Sequence, residues 1–375
     1  MKKALFVATV YRFFNFEKSD MQILNSMGYE IHTASNMKGA DWLVDDGYLD
    51  FLMPIKHHID FGRSPFSKST IHAYKQLKKL LKENHYDIIH CHTPVASAIA
   101  RLAAIGTRRA GTKIIYTDHG FHFHRASSLI NWILFYPIEY IMAFFTDMII
   151  TINKEDYAVI RRFNTPKKKY IPGVGVDIKK IAEIPFDRTS IRKKYNIPDD
   201  GFVILSVGEL SARKNQGVII RALAKLNNKN IYYILCGTGQ METIYKELSK
   251  KLSLVGRVIF AGFQPHEEVF KIAHSSDIVA LPSRIEGLGL AGIESMAAGL
   301  PVIASGVHGI KDYVIDNETG ITCRPTSVDD FANAINLLYT NSNLYKSCKE
   351  NAKQKAWEFD INKVRKLMTE YYKEI

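Results

Sequence analysis

Between Asp277 and Ser305 the sequence reads DIVALPSRIEGLGLAGIESMAAGLPVIAS, and its order of residue types leaves little choice of fold. An apolar run, Ile278 to Leu281, gives way to a polar, glycine-rich stretch. A short amphipathic segment follows, then a second apolar run from Pro301 to Ala304. Strand, loop, helix, strand is the repeating unit of a parallel sheet. In such a unit the loop carries the chemistry. Gly287 and Gly289 let the backbone approach a ligand closely, and the helix opening near Leu290 offers unpaired N–H groups and a positive dipole end. Such a start suits phosphate. Glu286 precedes the helix and Glu294 lies about one turn inside it. Both carboxylates can therefore reach one site and accept sugar hydroxyls. Glu294 can also be read as a solvated helix residue, although Ile293, Met296 and Ala297 beside it are expected to be buried.

The same rhythm runs through the chain. Apolar runs at 3–10, 30–35, 87–92, 113–118 and 148–153, and again at 202–208, 231–237, 258–262, 277–282 and 301–305, lack alternation, as strands covered on both faces do. Between them Ala73, Leu77, Leu80 and Leu81 mark an amphipathic helix over 70–84, and 95–109 reads as another. Segments 328–341 and 343–373 are helical in pattern. At 375 residues the chain suits two cores. The expected division is an N-terminal domain over 1–180, a C-terminal domain over 181–355, and a last helix over 356–375 that crosses back. The fold class is α/β, two doubly wound Rossmann-like domains, with ligands at the carboxyl ends of the strands.

The net charge of +12 calls for an anionic partner or surface. Residues 1–185 hold 25 Lys and Arg against 17 Asp and Glu, so most of the excess is N-terminal. No helix-turn-helix, zinc-finger or RNP-like pattern points to nucleic acid, and anionic lipid headgroups fit the asymmetry better. The apolar stretch 129–150 is interrupted by Pro137, Glu139 and Asp147, which favours a buried or membrane-touching helix over a spanning one. Cys91, Cys236, Cys323 and Cys348 have neither C-x-x-C nor disulfide-framework spacing, consistent with a reducing, cytoplasmic setting. The N-terminal run lacks a small-residue cleavage site and reads as a first strand.

Three loops follow strands in the first half. One is Tyr11-Arg12-Phe13-Phe14-Asn15-Phe16-Glu17-Lys18; the others open at His92-Thr93-Pro94 and at His119-Gly120-Phe121-His122-Phe123-His124. The histidine spacing matches no zinc pattern, because neither Cys nor acid completes it in sequence. In the second half Gly208-Glu209-Leu210-Ser211-Ala212-Arg213-Lys214 follows one strand, Gly237-Thr238-Gly239 another, and Gly262-Phe263-Gln264 a third. G-x-G-x-x-G over 287–292, with Asp312 beyond, also fits a dinucleotide fingerprint. Arg284, Ile285 and Glu286 separate it from its strand, and Asp312 lies past the next strand, so that reading is the weaker. No P-loop, H-E-x-x-H, G-x-S-x-G or EF-hand pattern is present.

Glu286 to Glu294, followed by Met296-Ala297-Ala298-Gly299-Leu300-Pro301-Val302-Ile303-Ala304, resembles the E-x7-E signature of retaining GT-B glycosyltransferases of family 4. Within that family the chain is similar to bacterial capsule and exopolysaccharide transferases. The resemblance implies two facing Rossmann-like domains with a nucleotide-sugar cleft. It implies a UDP-linked hexose or N-acetylhexosamine as donor, and a polyprenyl-diphosphate-linked sugar as acceptor at the cytoplasmic membrane face. Lys214 matches the lysine that grips the donor diphosphate. Glu209 stands where an Arg is usual, so Arg213 is expected to supply the missing charge, with Glu209 turned away or paired with it. Glu286 would hold the donor sugar and Glu294 the ribose, with Gly287, Leu288, Gly289 and Leu290 lining the phosphate site. Gly208 and Gly237 would approach the donor, and Phe263 and Gln264 would hold the base. His119, from the His-Gly-Phe motif, would contact donor sugar or acceptor. In Pro172-Gly173-Val174-Gly175-Val176-Asp177, Val174 replaces the family's Asn and Gly175 falls at a hinge. No D-x-D closes a strand, so neither a catalytic metal nor a cofactor is implied. A non-hydrolysing NDP-sugar 2-epimerase and a silent partner subunit are alternatives. The first needs an acid/base pair in the N-terminal half that is not evident; the second has no need of Glu286 or Lys214.

Overall fold

A computed structural model of the chain describes residues 1–38, 52–62, 67–125 and 127–375. It separates into two compact units, one of Met1–Val174 with Asn362–Ile375, the other of Gly175–Ile361.

In the first unit the strands are β1 (Lys2–Val10), β2 (Tyr29–Asn36), β3 (Ile55–His58), β4 (Ile88–His92), β5 (Lys113–Asp118), β6 (Met148–Thr151) and β7 (Lys167–Tyr170). They form one parallel sheet in the order β3-β2-β1-β4-β5-β6-β7. The second unit carries β8 (Phe202–Val207), β9 (Ile231–Cys236), β10 (Val258–Gly262), β11 (Ile278–Leu281), β12 (Val302–Ser305) and β13 (Gly320–Cys323). Its parallel order is β10-β9-β8-β11-β12-β13. Both sheets are doubly wound, as the apolar rhythm requires. Ala4 to Ala8 of β1 and Ile278 to Ala280 of β11 are wholly buried. Ala73, Leu77, Leu80 and Leu81 turn inward from the helix Lys68–Glu83.

Three strands escape the apolar pattern: β3 (IKHH), β7 (KKKY) and β13 (GITC). All three are edge strands. An edge strand has only one neighbour and can carry charge, lysine especially, which discourages pairing with another chain.

The pattern over 343–373 is not one helix. A helix Ser342–Ala356 and a 3-10 turn Trp357–Phe359 end at Asp360, which is extended, before the helix Ile361–Lys373 begins. The break is pinned by Gly175 and Val176. The N–H of Val176 donates to Phe359 O, and that of Ile361 donates to Val176 O. A Cβ on Gly175, whose φ is +87°, would lie 2.9 Å from the Ile361 backbone. The last helix belongs to the N-terminal unit. Arg365 donates to Ser19 and Gln22, Tyr371 to the carbonyl of Tyr170 on β7, and Tyr372 to Asp20. Tyr372 also meets His90 of β4 at 2.8 Å.

Candidate functional site

In the C-terminal unit three strand ends are joined through their backbones. Gly208 donates from N–H to Cys236 O, and Gly237 donates to Gly262 O. A Cβ on Gly237 would stand 2.0 Å from Gly208 O, so this turn tolerates no side chain. Beyond Gly208 the chain turns at Asn215 (φ +60°), whose side chain donates to the carbonyls of Pro282 and Pro325. Those bonds tie the loop after β8 to the loop after β11, and Lys214 is carried to Glu286.

Glu286 is nearly buried and its contacts fall on one oxygen. Nζ of Lys214 lies 2.5 Å from Oε2, the Ser283 hydroxyl donates to it at 3.1 Å, and Nη1 of Arg213 is 3.5 Å away. Arg213 also donates to Ile285 O and is 46 % exposed, against 15 % for Lys214. The partner of Arg213 is thus Glu286 and not Glu209; a carboxylate tucked between two cations outcompetes one that points to water. Ser283 was not singled out by the sequence, since a serine in a turn carries no spacing signal.

The helix Leu290–Ala297 opens from Gly289, in a left-handed conformation (φ +83°). Tyr313 donates to Gly289 O at 3.0 Å and holds that turn. Gly287 packs so closely on Gly309 that a Cβ there would sit 2.1 Å from its carbonyl. Leu288 is buried and anchors the loop. Ile293, Met296 and Ala297 are buried as the amphipathic pattern requires. Burial pushes the Glu294 carboxyl above its ordinary value, with His266 opposing. Phe263 is 72 % exposed, and Gln264 folds back to donate to Ala261 O at 2.6 Å. The dinucleotide fingerprint lacks its geometry, because residues 282–289 separate β11 from the helix and Asp312 ends a 3-10 turn well past β12.

In the N-terminal unit His119 follows β5. Its loop is pinned by two buried carboxylates, Asp118 accepting from Gly120 N–H and Asp156 from Phe121 N–H. Burial first, then the neighbouring Asp156, push the Asp118 carboxyl well above the usual range. The acid absent from the histidine spacing is supplied by the fold. Glu17, from the loop after β1, lies 3.2 Å from Nε2 of His119, and Glu17 lies 3.4 Å from Nδ1 of His92. His122 is exposed and His124 buried, both apart from this group.

Comparison with known proteins decides the family. Residues 187–355 match the model of glycosyl transferases group 1, and residues 24–179 that of Glycosyltransferase Family 4. A putative glycosyltransferase EpsD of Bacillus subtilis is 34% identical over 377 residues, spanning 99% of this chain and 96% of that protein. The chain is a family 4 glycosyltransferase. A UDP-Gal:alpha-D-GlcNAc-diphosphoundecaprenol alpha-1,3-galactosyltransferase of Escherichia coli is 26% identical over 84% of this glycosyltransferase and 81% of its own length. Among solved structures, Anabaena HepE in complex with UDP and glucose superposes with a TM-score of 0.80 at 21% identity, each chain fully covered. Sucrose-phosphate synthase from Thermosynechococcus elongatus follows at 0.77 and 18%, covering all of this chain and 99% of its own. These likenesses establish the GT-B fold.

The unequal exposure of the two cations in this glycosyltransferase sets an expectation. Lys214→Ala should lower kcat/KM by about 10²-fold or more, the usual cost of one preorganised charge-stabilising donor. Arg213→Ala should cost about tenfold, because its guanidinium works through solvent. Steady-state kinetics of both variants and their combination check this. Wild-type turnover in Arg213→Ala would leave Lys214 acting alone.

Proposed function

We propose that this glycosyltransferase moves a hexose or N-acetylhexosamine from a UDP-sugar to a polyprenyl-diphosphate-linked sugar, with retention, in capsular or exopolysaccharide synthesis. The observation that carries the donor reading is the geometry of Glu286. Lys214, Ser283 and Arg213 all gather on Oε2, which leaves Oε1 for hydroxyls of the donor sugar. When a diphosphate departs, Lys214 and Arg213 supply positive charge and the N–H groups at the start of Leu290–Ala297 supply dipoles. Gly208 gives the ligand room beside the backbone next to Lys214, Gly237 lets the Gly208 carbonyl close against it so that the two turns sit together near the donor, and Phe263, Gln264 and Gly262 offer a face for the base. Glu294 accepts from the ribose. His119 meets the transferred sugar or the acceptor, and Gly175 serves the hinge segment. The acceptor reading is supported by the E. coli relative, whose name specifies a diphosphoundecaprenol-linked substrate and a UDP-hexose.

A panel of nucleotide sugars, followed by calorimetry and slow hydrolysis, tests the donor. UDP-sugars should bind and be hydrolysed in preference to GDP- or ADP-sugars. Glu294→Ala should weaken UDP by roughly tenfold to hundredfold, the worth of hydrogen bonds to a charged group. Unchanged UDP affinity in that variant removes Glu294 from the ribose, and preference for another nucleotide overturns the donor.

The helix Leu129–Ala143 supports a place at the membrane. No helix among the described residues is long and apolar enough to cross one. Yet Leu129, Ile130 and Ile133 are 80 %, 66 % and 71 % exposed, and patches of this kind mark docking surfaces. Arg109 and Lys113 line a groove beside Phe144 at the far end of the same helix, together with Arg108, whose charge is already met by Asp147. Apolar side chains flanked by cations suit the inner face of an anionic membrane. Sedimentation with phosphatidylglycerol vesicles should show binding that falls as salt rises, and Ile130→Asp with Ile133→Asp should abolish it. Binding indifferent to salt or to these changes would remove the helix from that role.

A further inference from the structure

At the carboxyl end of the first sheet Glu17 follows the turn after β1, His92 ends β4 and His119 follows β5, and these strands are neighbours in the order β1-β4-β5. A carboxylate oxygen and two ring nitrogens lie within 4.8 Å of one another. Glu17 is 2 % exposed and His92 wholly buried. Aromatic rings close the site, Phe6 stacked on His92 and Phe13 edge-on to His119. Among the described residues Glu17 pairs with no Lys or Arg, only with these two imidazoles.

Protons alone do not satisfy the three groups. A carboxylate only accepts hydrogen bonds, and a neutral imidazole has one N–H and one lone pair. Burial holds His92 well below the ordinary histidine range, so it carries a single ring proton. That proton serves the contact from Nδ1 of His92 to Nε2 of His119 at 3.3 Å. Nε2 of His119 then presents its lone pair, and Oε1 of Glu17 faces it at 3.2 Å without a donor of its own. An N–H on that nitrogen would instead oppose the His92 proton. Acceptors that confront each other in a buried site are costly, and a cation among them makes every one of the contacts favourable.

The spacing indicates which cation. The two nitrogens are 3.3 Å apart, and they lie 3.4 Å and 3.2 Å from the Glu17 oxygens that face them. Ligands held tetrahedrally at the roughly 2.0–2.1 Å of a zinc–histidine bond stand about 3.3–3.4 Å from one another. A magnesium octahedron draws its ligands to about 2.8–3.0 Å and asks for oxygen. Two imidazoles and a carboxylate form a donor set that zinc accepts with a fourth position open. We propose that Glu17, His92 and His119 form a zinc site, with Nδ1 of His92, Nε2 of His119 and the Glu17 carboxylate as ligands and a water or substrate oxygen as the fourth. His119 is 17 % exposed and gives the ion its way in. With Nε2 on zinc the His119 ring keeps its proton on Nδ1 and meets a sugar oxygen as a donor; this consequence alone rests on the reading that His119 meets substrate. The ring proton of His92 moves to Nε2, which is buried without an acceptor. Ligating histidines usually have one, and its loss costs about 10–100-fold in affinity. The ion is therefore exchangeable, held less tightly than zinc in a fully supported site.

The full chain, stripped with dipicolinate and equilibrated with zinc, is assayed for bound metal by plasma mass spectrometry. Wild type should take up one equivalent, and so should His122→Ala, whose ring is exposed and apart from the cluster. Glu17→Gln keeps the side-chain volume and should weaken uptake by about 100-fold or more, beyond the cost of a lost outer partner, with circular dichroism checking its fold. X-ray absorption at the zinc edge of wild type should show two imidazole nitrogens and oxygen in a four-coordinate shell, and needs no variant to fold. No uptake by wild type, a different shell, or full uptake by a folded Glu17→Gln each overturns the site. A nucleotide-sugar panel that failed while zinc bound would remove the donor reading and leave the site standing; a panel that succeeded without zinc uptake would do the reverse.

Discussion

Replacing His119 with alanine is expected to lower turnover by about 10²–10⁴-fold, the range that a positioned acid, base or hydroxyl partner contributes. UDP affinity should stay within about twofold. His119 stands on the N-terminal unit, in a loop fastened by Asp118 and Asp156. The groups proposed for the nucleotide all belong to the C-terminal unit. Its ring is 17 % exposed, enough to be reached by a ligand and too little to be loose. Steady-state kinetics with UDP calorimetry separate the two effects. Equal losses in turnover and UDP affinity would put His119 in the nucleotide site.

The second large effect concerns stability. Arg101 is completely buried in the helix Pro94–Ala103, and its Nη2 donates to Glu139 at 2.8 Å. It also donates to Ser97 O and Oγ and lies 4.2 Å from the centre of the Tyr116 ring on β5. Arg101→Met would strand the Glu139 carboxylate in the interior. Breaking one side of a buried pair costs about 3–5 kcal/mol. For a unit of this size that is roughly 6–20 °C in melting temperature. The double variant Arg101→Met, Glu139→Leu should recover most of it, because two apolar residues need no counter-charge. Differential scanning calorimetry of the three proteins checks this. A single variant melting within a degree of wild type would mean that Glu139 finds water or another partner.

How much of this molecule can be read from its residues depends on how many neighbours each segment has. The central strands of both sheets are covered on two faces, so they must be apolar without a break, and such runs stand out in the sequence. The edge strands β3, β7 and β13 have one neighbour each and keep polar residues. Lys167-Lys168-Lys169 therefore looks like a surface run until β6 is placed beside it. The site divides the same way. Glu286, Gly289 and Glu294 share one loop and helix, so spacing alone assembles them. Lys214 is 72 positions from Glu286 and is recognisable only by likeness to the family. Glu17 lies beyond β1, His92 ends β4 and His119 follows β5. No spacing links them, and only the order β1-β4-β5 in the sheet does.

The return of the last helix to the N-terminal unit bears on the order in which the protein is made. Residues 362–373 supply Tyr372 to His90 and Asp20, and Tyr371 to the open edge at β7. A ribosome adds about 5–20 residues per second. Everything from Gly175 to Ile361 is translated after the whole of the first sheet and before the helix that packs on it. The wait is on the order of ten to forty seconds at those rates. Throughout it, the nascent N-terminal sheet lacks the Tyr371 contact at β7, and Asp20 lacks the tyrosine that donates to it. The C-terminal unit needs nothing made later than itself. It is therefore the part of the nascent chain that can finish first, although it is synthesised second.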